Sequence, residues 1–534
     1  MPQPADILIT NARAITLDSA QPTAATVALS GGKIAFVGST SDAAEWRGSQ
    51  TRVIDAQQCT LLPGLIDSHY HLLMGSLKLN DIQLDGIANY ETLTQTVHTF
   101  MEKHPNRTWL VGYGLGYNTG SQGQALTRQA LDAIVADRPL LVFAFDLHTA
   151  WANTRALELA NLLHGAVCEP GNEVVMAADG LASGELRESG AYNPVRALLP
   201  RPSEPEKRAL LRQGLAQAAR VGITSVHNMD GDLAQLTLYN DLAAAGELTL
   251  RVYCPFSVTP TTSVEALSEA VAMRETNTSP LVCSNCVKFF MDGVVESSTA
   301  YLLEDYVGQP GWRGEPLFSA KHFARMAAAA DRLGLQIFVH AIGDAAVRRT
   351  LDGYAYAQQQ NGPRDSRHRI EHVELLHPDD LPRFHALGVI ASMQPLHAAV
   401  SSPTQLWSRQ VGTERWLRGF PWQSLRDSGA TLVFGSDWPV VTQNPWRGLY
   451  AALTRQPWAP QQPPQAQTLH NALAAYTRDG AYAEFQEGQK GQLCVGQAAD
   501  LVLLTRDLAA TPVEAIKETK VTLTICNGRV VYEG

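Results

Sequence analysis

The chain has 534 residues, of which 45% are hydrophobic and 18% charged, as is usual for a globular protein. This length exceeds what one simple core holds, so we expect one large domain and a smaller one. The net charge of −10 is spread along the chain without a basic run, which argues against a nucleic-acid partner. No uninterrupted apolar stretch of about 18 residues is present, so we expect neither a transmembrane helix nor a membrane partner.

The cysteines and the N-terminal residues predict the cellular location. The seven cysteines are an odd number spread thinly along the chain, which favours reduced thiols over a disulfide framework. The N-terminal residues lack the basic-then-apolar layout of a signal peptide. We therefore expect a cytoplasmic protein. A homodimer is a possible assembly, because two-fold dimers are the commonest oligomers.

Both ends of the chain have the pattern of short β-strands joined by tight turns. Near the N-terminus Gly31 and Gly32 separate two apolar runs, and near the C-terminus Asn527 and Gly528 do the same. Both pairs are typical of β-hairpins. Because these β-rich ends flank a different middle, we expect residues 1–60 and 485–534 to form one small β-sandwich together.

The middle of the chain, residues 61–484, alternates apolar runs with helical patterns, which predicts a parallel sheet with crossover helices. One helix begins with a capping box formed by Ser203 and Glu206. Eight apolar runs qualify as strands, which is the number in a (β/α)₈ TIM barrel. These runs are 61–71, 222–227, 248–253, 286–292, 335–340, 369–372, 389–393 and 432–437.

The spacing of the first two predicted strands indicates an insertion. They are separated by about 150 residues, far more than one crossover helix needs. The excess, about residues 75–202, contains apolar runs of its own at 109–113 and 140–146. We therefore predict an α/β fold in which a large inserted subdomain lies over the mouth of the barrel.

Several predicted strands end in a residue that can bind a metal or transfer a proton. His69 and His71 are spaced by one residue, so in a strand both imidazoles project to the same side. The other residues of this kind are Lys288, His340, His372 and Asp437. Taken singly, such a residue is often only a hydrogen-bonded core side chain or a helix cap. Barrel enzymes keep their catalytic groups at the carboxyl ends of strands, so the joint pattern predicts a metal site.

The order of these residues along the chain resembles that of the amidohydrolase superfamily of metal-dependent hydrolases. Finer matches, which extend over nearly the whole chain, resemble the branch that includes N-substituted formamide deformylases. They are 146–153 (DLHTAWAN), 288–293 (KFFMDG), 339–344 (VHAIGD), 370–372 (IEH), 435–439 (GSDWP), 474–477 (AAYT) and 496–501 (GQAADL). These motifs are specific in combination.

The resemblance implies two metal positions that share one bridging group. Their ligands are His69, His71 and Asp437 for the first ion and His340 and His372 for the second. The resemblance further implies that Lys288 is carboxylated, so that its carbamate oxygens bridge the ions. An ammonium group cannot be a ligand, but the pKa of a lysine should fall between two cations. Zinc suits this ligand set, and manganese, iron or cobalt would also fit, with one or two ions bound.

The resemblance also implies hydrolysis of a carbon–nitrogen bond, of amide or N-formyl type, in a small molecule. Metal-activated hydroxide would attack the carbonyl carbon, and Asp437 would carry the proton to the leaving nitrogen. His148 in the insertion is either a substrate-facing, oxyanion-stabilising group or a structural histidine. The candidate pocket residues after the last two strands are Gln394, His397 and Trp438.

Alternatives to a two-metal hydrolase stay open. Lys288 could form an ordinary ion pair with an acid such as Asp292. A deaminase on the same scaffold would resemble the pattern H-x-x-E after the fifth strand, but Gly343 stands where that glutamate is expected. A catalytically inactive regulatory or binding protein would be expected to have lost a ligand, and all six positions are filled. Glu185 and Glu188 are expected at the solvated start of a helix.

Overall fold

The strands among the described residues form four sheets, which are a parallel barrel, the two layers of a sandwich and one sheet of an insertion. The computed structural model describes residues 3–87, 89–117, 119–120, 126–169, 171–276, 279–401 and 405–534. Within these ranges no helix is both long and apolar enough to cross a membrane.

Eight parallel strands form the central barrel, which confirms the predicted fold class. Each strand pairs with its neighbour in the chain, and the circle closes where Tyr70 pairs with Trp438. Most strand residues are buried, because side chains fill the interior and helices cover the outside. From first to eighth, the strands are Leu65–Tyr70, Ile223–Asn228, Arg251–Ser257, Val282–Phe290, Gln336–Ala341, Arg369–His372, Ile390–Met393 and Leu432–Phe434.

Helices surround the barrel and connect its strands. The helix before the second strand begins after Ser203, which forms the predicted capping box with Glu206. Leu211, Leu215 and Ala218 recur at helical spacing and bury one face of this helix against the barrel. The α-helices of this region are Leu72–Lys78, Glu204–Arg220, Leu233–Ala244, Leu267–Glu275, Ala320–Arg332, Asp344–Asn361, Leu381–Leu387, Pro395–Val400, Leu406–Val411, Trp422–Asp427, Pro445–Thr454, Leu469–Ala475 and Arg478–Ala483. The 3₁₀ turns are Pro378–Asp380 and Arg415–Arg418.

The two ends of the chain form the predicted sandwich. Its sheets share a core in which Ile9, Val27, Leu61, Leu501 and Ile525 are buried. In spatial order the four-stranded sheet consists of Lys33–Gly38, Thr26–Ser30, Ile7–Thr10 and Arg52–Asp55. The six-stranded sheet consists of Arg529–Glu533, Val521–Cys526, Leu501–Leu504, Thr60–Pro63, Arg13–Ile15 and Thr23–Ala24. The 3₁₀ turns of this part are Asp42–Trp46 and Val513–Glu518.

The joint between sandwich and barrel differs from its prediction. The sequence predicts one strand over 61–71, but Thr60–Pro63 belongs to the sandwich and Leu65–Tyr70 to the barrel. Gly64 separates the two strands, and a Cβ atom placed there would lie 2.1 Å from the hydroxyl oxygen of Thr224. This close approach excludes any side chain at the joint.

The insertion after the first barrel strand forms a mixed sheet with buried clusters around Leu131 and Leu186. The predicted apolar runs in it become the strands Leu110–Leu115 and Leu140–Ala144. In spatial order the sheet consists of Glu173–Met176, Ala182–Arg187, Thr149–Ala152, Leu140–Ala144, Leu110–Leu115 and Ile82–Gln83. Its helices are Tyr90–Lys103, Arg128–Ile134, Thr154–Leu159 and Ser189–Arg196.

Candidate metal centre

The carboxyl ends of the barrel strands bring together the six candidate ligands. All six residues are buried, and carboxyl ends of parallel strands meet at one edge of a barrel. They are His69 in the first strand, Lys288 in the fourth, His340 in the fifth and His372 at the end of the sixth, with His71 and Asp437 just beyond the first and eighth strands.

Asp437 lies in the middle of this cluster. Its Oδ1 atom is 3.3 Å from Nε2 of His69 and 3.3 Å from Nε2 of His71. Potential ligand atoms of His69, His372 and Asp437 lie within 4.8 Å of one another. The ring of His340 lies beside that of His372, with their centroids 4.5 Å apart. His372, expected to serve only the second metal position, is thus close to both groups of ligands.

Two of these residues have a strained backbone. The φ angle is 75° at His372 and 63° at Asp437, in the left-handed region that residues with a side chain rarely adopt. The N–H group of Asp437 donates to the carbonyl oxygen of His69 at 2.7 Å, which holds the turn against the first strand. Such strain persists where the surrounding structure enforces it, and it is concentrated at functional sites.

One nitrogen of each of the four imidazoles is paired with an oxygen atom. The pairs are His69 Nδ1 with Glu371 Oε2 at 2.7 Å, His71 Nδ1 with Asp230 Oδ1 at 2.6 Å, His372 Nδ1 with Gln394 Oε1 at 2.8 Å and His340 Nε2 with the Gly293 carbonyl at 3.1 Å. Each pairing fixes the ring and leaves its other nitrogen as a ligand. This arrangement is typical of metal-binding histidines.

Lys288 contributes a buried amine to the cluster. Within the described ranges its Nζ atom has no hydrogen-bond partner, and it lies 4.5 Å from the centre of the Phe290 ring. Burial lowers the pKa of Lys288 to about 8, although Glu371 and Asp437 act in the opposite direction. The alternative partner Asp292 instead accepts hydrogen bonds from three backbone N–H groups.

The charge states of the donors fit a divalent metal ion. Burial, reinforced by the charge of Lys288, lowers the pKa of His340 well below its usual range. Burial and neighbouring imidazoles do the same to His372, so both rings are neutral and offer a lone pair. Against the effect of burial, the contacts with His69 hold the pKa of Asp437 well below its usual range. Neutral imidazoles and a carboxylate suit zinc and related divalent ions.

His148 reaches the cluster from the insertion. It lies in the turn between Leu140–Ala144 and Thr149–Ala152, and its ring centroid is 5.7 Å from that of His340. Its Nδ1 atom is 2.8 Å from Oε2 of Glu188. Against the effect of burial, the Glu188 carboxylate raises the pKa of His148 to about 9. The ring therefore carries a positive charge at neutral pH.

A cavity of about 40 Å³ lies among these groups, lined by His148 and Asp437 among others. Of the three predicted pocket residues, His397 lines it, with its Nε2 atom 3.6 Å from Oδ2 of Asp437. Among the described residues that line this cavity, the other two predicted pocket residues, Gln394 and Trp438, are absent. Gln394 accepts the hydrogen bond given above, and Trp438 stacks on Tyr70 with ring centroids 5.0 Å apart.

The expected solvated helix start is wrong for Glu185, whereas Glu188 does precede the helix Ser189–Arg196 directly but is half-buried there. Glu185 lies in the strand Ala182–Arg187, which pairs with Thr149–Ala152. Glu188 follows this strand directly, and its N–H group donates to the carbonyl oxygen of His148 at 2.7 Å. The strand pairing thus places the carboxylate beside the imidazole.

Sequence reasoning missed the acids that hold the imidazoles. Glu371 had a signal, since it is a charged residue in an apolar strand directly before His372. Asp230 also had a signal, because it closely follows the end of the second strand. Glu188 had none, since its approach to His148 depends on the fold of the insertion.

The chain is similar in sequence to known proteins. A model of the amidohydrolase family matches residues 52–532 of the chain. The protein LONG AFTER FAR-RED 3 of Arabidopsis thaliana is 29% identical over 520 residues, which cover 94% of this chain and 87% of that protein. The N-substituted formamide deformylase of Arthrobacter pascens is 26% identical over 545 residues, which cover 100% of this chain and 99% of that enzyme.

A solved structure has the same fold. An uncharacterized metal-dependent hydrolase from Pyrococcus horikoshii OT3 matches with a TM-score of 0.74 at 24% identity, covering 95% of this chain and 99% of that one. The family model spans the barrel, the insertion and the C-terminal part of the sandwich. The chain therefore belongs to the amidohydrolase family.

Proposed function

We propose that the protein is a metal-dependent hydrolase that cleaves a carbon–nitrogen bond, of amide or N-formyl type, in a small molecule. The observation that carries the proposal is the convergence of four oriented imidazoles and the Asp437 carboxylate at one edge of the barrel. Similarity to an N-substituted formamide deformylase supports the type of bond.

The proposed site holds one or two ions, with zinc as the first choice. His69, His71 and Asp437 would hold one ion, His340 and His372 would hold the other, and a carboxylated Lys288 would supply further ligand oxygens. A neutral lysine amine can add carbon dioxide, and the lowered pKa of Lys288 makes the neutral form accessible. When bound here, a divalent ion lowers the pKa of a water molecule and polarises a carbonyl group.

In the proposed reaction Asp437 transfers the proton. One of its carboxylate oxygens contacts two histidines, and the other is directed to His397 at the cavity. Asp437 accepts a proton from the attacking water and gives it to the leaving nitrogen. The water oxygen bonds to the carbonyl carbon as the carbon–nitrogen bond breaks, so the products are an acid and an amine.

His148 stabilises the negative charge that develops on the carbonyl oxygen. Its Nδ1 atom is paired with Glu188, which leaves the other N–H group as the donor. The positive charge of the ring strengthens this hydrogen bond in a small, buried cavity.

Metal analysis and a hydrolysis screen on one preparation test the proposal. Protein purified without chelators should contain one or two divalent ions per chain. It should hydrolyse members of a panel of N-formyl amines, N-acyl amino acids, cyclic amides and carbamates. A chelator should abolish this hydrolysis, and zinc should restore it. Less than one ion per chain, with no hydrolysis after zinc is added, would contradict the proposal.

Two histidine variants make the metal analysis specific. His372→Asn removes a proposed ligand and should lower the metal content and abolish hydrolysis. His377→Asn is the matched control, because this half-buried residue caps a 3₁₀ turn away from the cavity. The control should keep both metal and hydrolysis. Equal metal content in the two variants would remove His372 from the ligand set.

A further inference from the structure

A second and larger cavity lies beside the metal centre, between the insertion and the helix Leu72–Lys78. Its volume is about 820 Å³, and aromatic rings of the insertion line it, among them Tyr113, Phe143 and Tyr192. Tyr113 stacks on Phe143 with ring centroids 5.0 Å apart, and Phe143 meets Tyr192 edge to face at 5.3 Å. A cavity of this size and lining suits a small molecule with an apolar body.

Lys78 places a buried amine on the wall of this cavity. The residue is 6% exposed, and within the described ranges its Nζ atom has no hydrogen-bond partner. It lies over the Tyr113 ring, 4.5 Å from the ring centre. Burial lowers the pKa of Lys78 well below its usual range, and Arg196 acts in the same direction. An anion at this position would supply the missing hydrogen bonds and counter-charge.

Acids also line the cavity, but each one has another partner. Asp81 lies 3.7 Å from a nitrogen of Arg107, Asp230 is paired with His71, and Glu206 caps its helix through Ser203. Arg196 and Arg201 line the same cavity as Lys78 and add positive charge to it. The wall is therefore suited to a negatively charged group.

The cavity meets the metal centre at Asp230. This residue lines the cavity, and its carboxylate is 2.6 Å from Nδ1 of His71. His71 directly precedes the helix that Lys78 ends, so a helix of about 10 Å separates the two residues. The charges of Asp230 and Asp437 are close enough to act on the pKa of Lys78. One small molecule can thus contact both Lys78 and the metal centre.

We propose that this cavity is the substrate pocket and that Lys78 binds a carboxylate of the substrate. The inference rests on the proposed hydrolytic function and narrows its substrate class. The substrate is an N-acyl or N-formyl compound that carries both a carboxylate and an aromatic or other bulky apolar group. Its apolar group packs on Tyr113, Phe143 and Tyr192, while its carbonyl lies at the metal centre.

Binding of a carboxylate tests the pocket without any turnover. The probe is hydrocinnamate, compared with neutral hydrocinnamyl alcohol, and binding to zinc-loaded protein is measured by calorimetry. The wild type should prefer the acid, and Lys78→Met should bind the acid about tenfold more weakly or worse. Lys321→Met, at an exposed lysine of the helix Ala320–Arg332, should match the wild type. The inference is overturned if the wild type does not prefer hydrocinnamate to the alcohol, or if Lys78→Met prefers it as strongly as the wild type does.

Thermal unfolding separates loss of the site from loss of the fold. Methionine has a similar length and no charge, so Lys78→Met should unfold at the same temperature as the wild type or higher. Lys78→Gln provides a second variant, which keeps a polar group without the charge. Both variants should lose the preference for the acid. If Lys78→Met or Lys78→Gln is folded and still prefers the acid, the proposed role of Lys78 in this pocket is contradicted.

Kinetics distinguish the pocket from the proposed function itself. The measured quantity is the ratio of kcat/KM for N-formylphenylalanine to that for N-formylphenethylamine, which lacks the carboxylate. This ratio should fall about tenfold or more in Lys78→Met and stay unchanged in Lys321→Met. Hydrolysis of both compounds with an unchanged ratio overturns the pocket. If neither compound is hydrolysed but hydrocinnamate still binds in a Lys78-dependent way, only the proposed hydrolytic function is contradicted.

Discussion

At the scale of single residues, Asp437 combines burial with a retained negative charge. Contacts of 3.3 Å with both His69 and His71 compensate for the loss of water around its carboxylate. Its other oxygen lies 3.6 Å from His397 at the cavity. One side chain can therefore serve as a ligand and carry a proton, and a substitution can separate the two roles.

Asp437→Asn should keep most of the metal but lower kcat by a factor of about 10²–10⁴, because an amide cannot accept the proton. Metal content and kcat are measured on the same preparation. Asp427→Asn, at an exposed position at the end of the helix Trp422–Asp427, is the control and should retain both. A kcat near that of the wild type would remove Asp437 as the proton carrier.

At the scale of elements, the insertion supplies a cation to a site otherwise built from the barrel. Pairing of Thr149–Ala152 with Ala182–Arg187 sets the position of His148 relative to Glu188. Neither residue belongs to a barrel strand. The insertion can therefore change the rate and the choice of substrate without dismantling the metal ligands.

His148→Ala should lower kcat by a factor of about 10²–10³ and leave the metal content unchanged, since it removes a donor to the carbonyl oxygen. Glu188→Gln should act in the same direction with a smaller effect. His164→Ala, at an exposed histidine of the same insertion, is the matched control and should behave as the wild type. Loss of metal from His148→Ala would show that its role is structural.

The elements that could be predicted are those whose signal is local in the sequence. The eight barrel strands are short apolar runs between helical patterns, so their existence could be predicted. The division of the run 61–71 into two strands at Gly64 could not be predicted, because an apolar run does not show which sheet it joins. Likewise, strand ends indicate the ligands, whereas the pairing of His148 with Glu188 requires the tertiary fold.

At the scale of the whole molecule, a buried charge network joins the barrel to the C-terminal segment. Glu484 lies 2.5 Å from Nζ of Lys490 and 3.2 Å from Nε2 of His227 in the second barrel strand. Lys490 also donates a hydrogen bond to Ser225 of that strand. Although burial opposes the change, Lys490 and His227 lower the pKa of Glu484 from 4.5 to about 2.

This network predicts a pH dependence of stability. Because the pKa of Glu484 is lower in the folded chain, its contribution is fully present above pH 4.5 and is lost as the pH falls toward 2. Glu484→Gln should lower the free energy of unfolding at neutral pH and weaken its pH dependence in this range. Urea titrations at several pH values measure both effects.

The control for this prediction is Glu414→Gln, at an exposed position away from the network. It should leave the free energy of unfolding and its pH dependence close to those of the wild type. If Glu484→Gln matched the wild type at neutral pH and showed the same pH dependence, the network would not stabilise the fold.

The sandwich restricts the order in which strands can pair during co-translational folding. Thr60–Pro63, which leads directly into the first barrel strand, pairs with Leu501–Leu504. The nascent chain therefore carries an unpaired edge on Thr60–Pro63 until the residues up to Leu504 have emerged. Such an edge can recruit strands of other chains unless it is shielded during translation. The strand that leads to the metal ligands is made early, and it receives its native neighbour late.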